Sequence, residues 1–235
     1  MAKKNIFISI IIPFFNEKNN LRILLPQLKK SLKAIKKKYE VIFIDDGSRD
    51  NSKKIIEKFN IKNKNCKLII HKNNLGQTEC YKSALKICKG EFFLRLDSDL
   101  QDNPKDIYKF IKSFKKGFDL VIGYRKNRKH KFLLLFLSFI FDLVISLFSK
   151  TKLKSYTGSF VGFRTKYLIN KKFKRNDHRY FPLVYILSNK KICEVIIGHK
   201  ARIYGSSYYS VVSKILFALP ELVSFLIRLK FFKLR

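Results

Sequence analysis

The sequence predicts an α/β fold in which a mostly parallel sheet is covered by helices on both faces. Short apolar runs rich in β-branched residues alternate with segments whose leucines and isoleucines recur at helical spacing. This alternation extends over about the first 125 residues and is typical of strand–helix–strand units. Polar residues cluster where several of the apolar runs end, which is the edge at which parallel sheets bind ligands.

The predicted strands are short and almost entirely apolar, as expected of strands that are buried on both faces. We expect the first strand to end at Pro13. Strands are predicted at 6–12, 41–44, 67–70, 91–96 and 119–122. Helices are predicted at 17–37, 52–59, 78–88 and 105–114.

Two apolar segments distinguish the second half of the chain. Residues 132–148 are apolar except for Ser138, Asp142 and Ser146, which form a narrow polar stripe on a helix. This length is at the lower limit of about 17–25 residues for a membrane span, and basic residues flank it. We therefore expect a helix in a membrane interface, with a buried core helix as the alternative. Residues 211–235 predict a second amphipathic helix associated with the membrane.

The net charge of the chain is +34, from 51 lysines and arginines against 17 acidic residues. Such an excess attracts polyanions, although lysines scattered over solvated faces would explain it equally well. A nucleic-acid-binding protein would present a clustered basic face interleaved with exposed aromatic residues. The sequence contains no helix-turn-helix or RNA-binding signature, so we expect no nucleic-acid partner.

Cysteine usage and the amino terminus both predict a cytoplasmic location. Cys66, Cys80, Cys88 and Cys193 form no Cys-x-x-Cys pair and match no common zinc spacing. Free thiols in a reducing compartment are the simplest explanation. Residues 1–5 lead directly into an apolar run, so we expect no cleavable signal peptide.

The acidic segment Asp97-Ser98-Asp99 directly follows the predicted strand 91–96. Carboxylates two residues apart at a strand end can converge on one hard cation, and Gln101 offers a further carbonyl oxygen. A Mg²⁺ or Mn²⁺ ion bound there would neutralise a diphosphate and stabilise it as a leaving group. Because Asp-x-Asp is also a common turn composition, the position at the strand end is what favours a metal site.

Two further polar segments close the first two strands. Residues 45–48 supply the carboxylate of Asp46, which could accept a hydrogen bond from a nucleobase or a ribose hydroxyl. Capping of the next helix is the alternative role for this segment. Residues 13–17 supply the ring of Phe15, against which a base could lie, and the carboxylate of Glu17. The three strand ends together predict a nucleotide-binding site.

In this order along the chain, these segments resemble the motifs of family 2 glycosyltransferases of the GT-A fold. They resemble in particular the dolichyl-phosphate mannose synthase group and its bacterial polyprenyl-phosphate sugar transferase relatives. The likeness extends over about residues 6–210 and rests on 10–17, 45–48, 74–76, 97–101, 123–125, 157–160, 163–164 and 202–207.

The resemblance implies a glycosyltransferase domain at 1–210, with the apolar helix 131–149 inserted into it, followed by the membrane-associated helix 211–235. It implies transfer of a hexose, with inversion, from a GDP- or UDP-hexose to a polyprenyl phosphate at the cytoplasmic membrane face. Mg²⁺ or Mn²⁺ would be the cofactor. A homo-oligomer is compatible with the sequence, because either apolar helix could pack on another subunit.

The resemblance also implies roles for individual residues. The nucleotide-sugar pocket would be lined by Pro13, Phe15, Glu17, Ile44, Asp46 and Ser98. The metal would be bound by Asp97, Asp99 and Gln101. Catalytic roles would fall to Asp97, Asp99, Arg125 and Arg202. The two arginines would contact phosphates, for which a guanidinium is better suited than an ammonium.

Two positions depart from the family pattern and concern the acceptor. Ser155-Tyr156 stands where the family often has an acidic residue, and Tyr208 where it often has a lysine. A polyprenyl phosphate is already ionised near neutral pH, so catalysis could rest on positioning and charge neutralisation without a general base. A polysaccharide or lipopolysaccharide acceptor remains an alternative. Another alternative is an inactive membrane-bound relative, which the intact Asp97 and Asp99 argue against.

Overall fold

A computed structural model describes residues 6–61, 63–125, 158–198 and 211–232, together with residues 145, 153, 156, 200, 204 and 234. Side chains are described for these residues except 61, 211–219 and 232. Apart from residue 145, the predicted interfacial helix 131–149 lies outside the described residues. So do Arg202 and the two departures from the family pattern at Ser155 and Tyr208.

The core is a seven-stranded sheet with the order β3-β2-β1-β4-β6-β5-β7. Its strands are β1 Ile8–Phe14, β2 Tyr39–Asp45, β3 Cys66–Ile70, β4 Phe92–Arg95, β5 Leu120–Arg125, β6 Val161–Arg164 and β7 Ile192–Ile197. Within the described residues, only β6 runs antiparallel to its neighbours, which are β4 and β5. The predicted mostly parallel sheet is therefore confirmed, with β6 and β7 added to the five predicted strands.

The central strands are buried because their side chains are apolar on both faces. Every residue of β1 and of β4 is buried. The expectation that β1 ends at Pro13 is wrong, because the pairing with β2 continues through Pro13 to Phe14. The missing N–H of Pro13 does not interrupt this pairing, and the Phe14 carbonyl accepts a hydrogen bond of 2.9 Å from the Asp46 amide.

Helices cover both faces of the sheet. They are α1 Lys18–Lys33, α2 Ser52–Ile61, α3 Gln77–Ile87, α4 Ile107–Lys115, α5 Phe181–Ile186 and α6 Val211–Phe232. Alternate strand residues point to opposite faces. Ile10 of β1 accordingly packs in one apolar cluster with α1 and α4, whereas Ile11 packs in a second cluster with α3, α5 and α6.

The carboxyl-terminal helix α6 turns a polar stripe towards the domain. Its Arg228 donates two hydrogen bonds, of 2.8 and 2.7 Å, to the buried carboxylate of Asp177. Its Glu221 accepts a hydrogen bond of 3.2 Å from Arg179, and Phe225 packs 5.4 Å from the ring of Tyr180. The helix is not split at its internal proline.

The outward face of α6 carries an apolar stripe, Val223, Ile227 and Phe231, spaced four residues apart. These side chains are 47%, 48% and 69% exposed, respectively. Among the residues that the structure describes, no helix is long and apolar enough to cross a bilayer. The helix predicted at the carboxyl end is thus present. Its Glu221 and Arg228 are bound to the domain, whereas Lys230 and the apolar stripe are exposed.

Candidate functional site

The candidate site lies at the carboxyl ends of β1, β2 and β4, the edge that the sequence predicts. The loops after β1 and β2 are bound to each other. The amide of Asn16 donates to the Ser48 hydroxyl at 3.0 Å, and the Asn16 side chain accepts from the Arg49 amide at 2.8 Å. The amide of Glu17 donates to the Ser52 hydroxyl at 2.9 Å. These bonds fix the two loops as one unit beneath the site.

The residues predicted to line the nucleotide pocket differ in their burial. Phe15 and Glu17 are half-buried, and the Glu17 carboxylate accepts a hydrogen bond from the Asn20 side chain. Pro13 is buried, and Ile44 is fully buried. The side chain of Ile44 packs in the apolar core cluster that includes Tyr81. It is therefore part of the core and is not exposed at the site.

The carboxylate of Asp46 is occupied by contacts within the protein. It accepts hydrogen bonds from the backbone amides of Leu75, at 3.0 Å, and Gly76, at 2.8 Å. It also contacts Nδ1 of His71 at 2.9 Å, and the other nitrogen of this imidazole lies 3.0 Å from the Ser83 hydroxyl. Asp46 therefore holds the loop between β3 and α3 against the end of β2. Sequence reasoning missed this role, because it depends on a loop some 30 residues away.

Gly47 makes this contact between the two loops possible. Its φ of +78° lies in the left-handed region, and an added Cβ would lie 2.6 Å from the Asn73 carbonyl carbon. A larger residue would push the loops apart.

Asp46, His71 and Cys80 could hold a metal ion by geometry, since their ligand atoms lie within 4.8 Å of one another. Burial raises the pKa of the Cys80 thiol well above its ordinary value, and the nearby Asp46 carboxylate raises it further. A mixed sulfur, nitrogen and oxygen set suits zinc rather than Mg²⁺ or Mn²⁺. This cluster therefore does not fit the cation that the sequence predicts.

The acidic segment after β4 has the chemistry that a hard cation requires. Among the described residues, Oδ1 of Asp97 is buried without a hydrogen-bond partner. The pKa of Asp97 is raised to about 7, mainly by burial and also by the carboxylates of Asp99 and Asp102, while Arg95 and Arg125 act in the opposite direction. An unpaired carboxylate oxygen among other carboxylates is unfavourable without a positive partner. The residues present therefore fit Mg²⁺ or Mn²⁺.

A tight turn shapes this acidic segment. The amide of Gln101 donates to Oδ1 of Asp99 at 3.1 Å, and Leu100 adopts a positive φ of 65°. Ser98 between the two aspartates is buried. The Gln101 carbonyl accepts a hydrogen bond of 3.0 Å from the amide of Lys200, which connects the turn to the segment after β7. Gln101 thus contacts Asp99 directly.

Arg125 lies at the edge of this acidic segment and is held there by two residues that the sequence did not single out. Its Nη2 donates to Oδ1 of Asp102 at 2.9 Å and to the Ser159 hydroxyl at 2.6 Å. Asp102 and Ser159 lie in segments that carry the family likeness or adjoin it, but their spacing in sequence gives no sign that they meet. Arg202, the second predicted phosphate ligand, lies outside the described residues.

The titration of Asp97 predicts how pH affects stability and cation binding. Because its pKa rises from 3.8 to about 7 on folding, the folded protein binds more protons than the unfolded chain between these values. The free energy of unfolding that depends on Asp97 should therefore fall as pH rises through this range. Since Mn²⁺ favours the charged carboxylate, it should raise the Tm more at about pH 8 than at about pH 5.5.

Thermal unfolding with and without MnCl₂ at the two pH values measures this difference. The Asp97→Asn variant is the control, since it should lose the pH-dependent part of the Mn²⁺ response. Equal stabilisation of the unaltered protein at both pH values would contradict the prediction.

The sequence profile described as Glycosyl transferase family 2 matches residues 9–171 of the chain. An undecaprenyl-phosphate 4-deoxy-4-formamido-L-arabinose transferase of Proteus mirabilis is 29% identical over 205 residues, which cover 86% of this chain and 63% of that protein. A dodecaprenyl-phosphate galacturonate synthase of Rhizobium johnstonii is 27% identical, covering 87% of this chain and 62% of that protein. The chain thus spans about three fifths of the length of these curated relatives.

A solved structure shows the same fold at low sequence identity. Glucosyl-3-phosphoglycerate synthase of Mycobacterium tuberculosis, in complex with Mn²⁺, uridine diphosphate and glucosyl-3-phosphoglycerate, aligns with a TM-score of 0.69 at 14% identity. The alignment covers 96% of this chain and 80% of that one. The predicted GT-A fold is therefore confirmed.

Proposed function

Because the chain belongs to glycosyltransferase family 2, we propose that it transfers a hexose from a nucleotide sugar to a polyprenyl phosphate. The transfer inverts the anomeric carbon. The observation that carries this proposal is the acidic segment at the end of β4, where a buried oxygen of Asp97 has no partner among the described residues. The names of both curated relatives pair a prenyl phosphate with a sugar, which supports the choice of acceptor.

The donor half of the reaction rests on charge neutralisation. Asp97 and Asp99 would hold the divalent cation with Gln101, and the cation, when bound, neutralises the leaving diphosphate. The structural relative bound to Mn²⁺ and uridine diphosphate supports this class of donor and cofactor. Phe15 and Glu17 are half-buried on the neighbouring strand end and would line the pocket for a GDP- or UDP-linked sugar. Ser98 would contribute to the same pocket, and Asp46 would shape it by holding the adjoining loop.

The acceptor half rests on positioning. A phosphate monoester is already an anion near neutral pH, so it needs no general base to attack the anomeric carbon. Arg125 is held close to the acidic segment by Asp102, where its guanidinium can bind a phosphate oxygen of donor or acceptor. Arg202 would supply a second guanidinium to the same phosphates.

The experiment that tests this function follows radiolabelled sugar into lipid. The protein is incubated with Mn²⁺, a panel of labelled nucleotide sugars, and undecaprenyl phosphate in detergent micelles. We expect one donor to give a labelled product that partitions into organic solvent. A parallel reaction offers polysaccharide and lipopolysaccharide acceptors. Label that enters only these polymers would contradict the polyprenyl acceptor.

We place the membrane contact on the apolar stripe of α6, formed by Val223, Ile227 and Phe231. These exposed side chains could insert at the boundary between the lipid headgroups and the acyl chains. The adjacent Lys230 is also exposed and could contact anionic headgroups. Glu221 and Arg228 of the same helix are bound to the domain, so docking would place the domain directly on the bilayer surface. We assign this surface to the cytoplasmic face.

Replacing both Ile227 and Phe231 by serine should weaken vesicle binding by at least about tenfold. Each apolar side chain buried in the interface contributes about 1.5–3 kcal/mol, and about 1.4 kcal/mol corresponds to a tenfold change. Co-sedimentation with phosphatidylglycerol-containing vesicles measures the effect. The matched control is Ile196→Ser, which removes an isoleucine that is 60% exposed on β7. Equal pelleting of the double variant and the control would contradict this membrane contact.

A further inference from the structure

Three side chains from separate segments converge beside the acidic segment and form a closed ring of hydrogen bonds. Arg125 is the last residue of β5, Asp102 follows the acidic turn, and Ser159 precedes β6. Nη2 of Arg125 donates to Oδ1 of Asp102 at 2.9 Å and to Oγ of Ser159 at 2.6 Å. The Ser159 hydroxyl in turn donates to Oδ2 of Asp102 at 2.9 Å.

The ring uses only one end of the Arg125 guanidinium. The Nη2 group carries two hydrogens, and the contacts with Asp102 and Ser159 use both of them. Among the residues that the structure describes, Nε and Nη1 make no hydrogen bond. The Arg125 side chain is 17% exposed, whereas that of Asp102 is fully buried. Within the described part of the chain, the guanidinium is therefore held through Nη2 only, which leaves its other three N–H groups for a ligand.

The backbone around Ser159 is built for this close approach. The amide of Gly123 donates to the Phe160 carbonyl at 2.9 Å. An added Cβ on Gly123 would lie 2.7 Å from that carbonyl oxygen, and one on Gly158 would lie 3.3 Å from the side chain of Ile122 on β5. The two glycines therefore allow the segment before β6 to lie against β5, which brings the Ser159 hydroxyl within reach of Arg125.

We propose that Asp102 and Ser159 are positioning residues that aim the free N–H groups of Arg125 at a phosphate of the reaction. This proposal rests on the proposed function, in which Arg125 contacts a donor or acceptor phosphate. The buried carboxylate needs the guanidinium as its counter-charge, so the pair holds one geometry. An arginine at a strand end without these partners would sample several rotamers and present its donors to the phosphate for only part of the time.

The test is a set of double-mutant cycles between Arg125 and its two partners. The variants are Ser159→Ala, Asp102→Asn and Arg125→Ala, singly and in pairs with Arg125→Ala. We expect each partner variant to lower kcat/KM for sugar transfer by about tenfold. In the Arg125→Ala background, the same changes should have an effect of less than about twofold, because the group that they position is gone.

Two titrations identify which phosphate is involved. Calorimetry of the Mn²⁺ complexes of UDP and GDP reports donor binding, and the KM for undecaprenyl phosphate reports the acceptor. A loss in either titration that disappears in the Arg125→Ala background supports the proposal. The matched control is Ser31→Ala, whose hydroxyl bonds only within α1 among the described residues and whose removal should leave both titrations unchanged.

Two outcomes would overturn the proposal. In one, Arg125→Ala impairs transfer while Ser159→Ala does not. In the other, the effects of the single changes multiply in the double variants. Ser159→Ala changes no charge, so it keeps the test decisive if Asp102→Asn fails to fold. Failure of the proposed function is a separate result, in which the unaltered protein transfers no sugar or Arg125→Ala transfers it normally.

Discussion

Replacing Asp99 by alanine is expected to lower the rate of sugar transfer by on the order of 10³-fold while leaving the fold intact. A bound divalent cation contributes several kcal/mol of charge stabilisation to a developing diphosphate, and each 1.36 kcal/mol is a factor of ten in rate. Asp97 and Asp99 are two residues apart in the turn after β4, and their carboxylates interact electrostatically. Transfer assays with saturating Mn²⁺ measure the rate, and circular dichroism checks the fold.

The matched control for this change is Glu57→Gln, which removes an acidic charge from the exposed surface of α2. It should leave transfer and Mn²⁺-dependent nucleotide binding unchanged. Calorimetry should show that Asp99→Ala no longer binds UDP or GDP in a Mn²⁺-dependent manner. Retention of Mn²⁺-dependent binding, or a loss of rate below about tenfold, would mean that the cation is bound elsewhere.

Replacing Arg228 by methionine should lower the free energy of unfolding by about 3–5 kcal/mol, the usual cost of removing one partner of a buried ion pair. Arg228 contacts both carboxylate oxygens of Asp177, whose side chain is only 4% exposed. Without the guanidinium, that carboxylate stays buried with its counter-charge removed. Urea denaturation of the full chain measures the change.

Two further variants show whether the loss comes from the ion pair. Lys230→Met changes the same kind of charge on the exposed side of α6 and should alter stability by less than about 0.5 kcal/mol. The double variant Arg228→Met with Asp177→Leu replaces both charges by apolar groups and should recover part of the loss. A double variant less stable than Arg228→Met would show that Asp177 stabilises the protein by other contacts.

The central part of the fold was predictable because each residue there follows a local rule. Residues 10–12 of β1 and 41–44 of β2 are apolar at consecutive positions, which predicts strands of a sheet buried on both faces. β6 and β7 were not predicted. β6 has only four residues, and β7 is only partly buried along most of its length. Such strands are fixed by pairing with distant neighbours, which sequence periodicity does not reveal.

The acidic segment was also predictable from its place in the sequence. Parallel strands bring their carboxyl ends to one edge, so Asp97 and Asp99 had to lie near the loop that carries Glu17. The contacts that surround those residues were not predictable. The bonds from the β3–α3 loop to Asp46, and the ring around Arg125, join residues separated by 23 to 57 positions.

The sequence by itself determined the five predicted strands and the edge at which the site lies, and it predicts a hard cation at Asp97 and Asp99, because strand burial and carboxylate spacing are local properties. Only the tertiary structure decided which charged groups are occupied and which are available. Sequence periodicity places Arg228 and Phe231 on one amphipathic helix. In the folded protein, Arg228 contacts the buried Asp177, whereas Phe231 is exposed. The reason is that a buried charge is stable only with a counter-charge, and packing of distant segments determines where that partner lies.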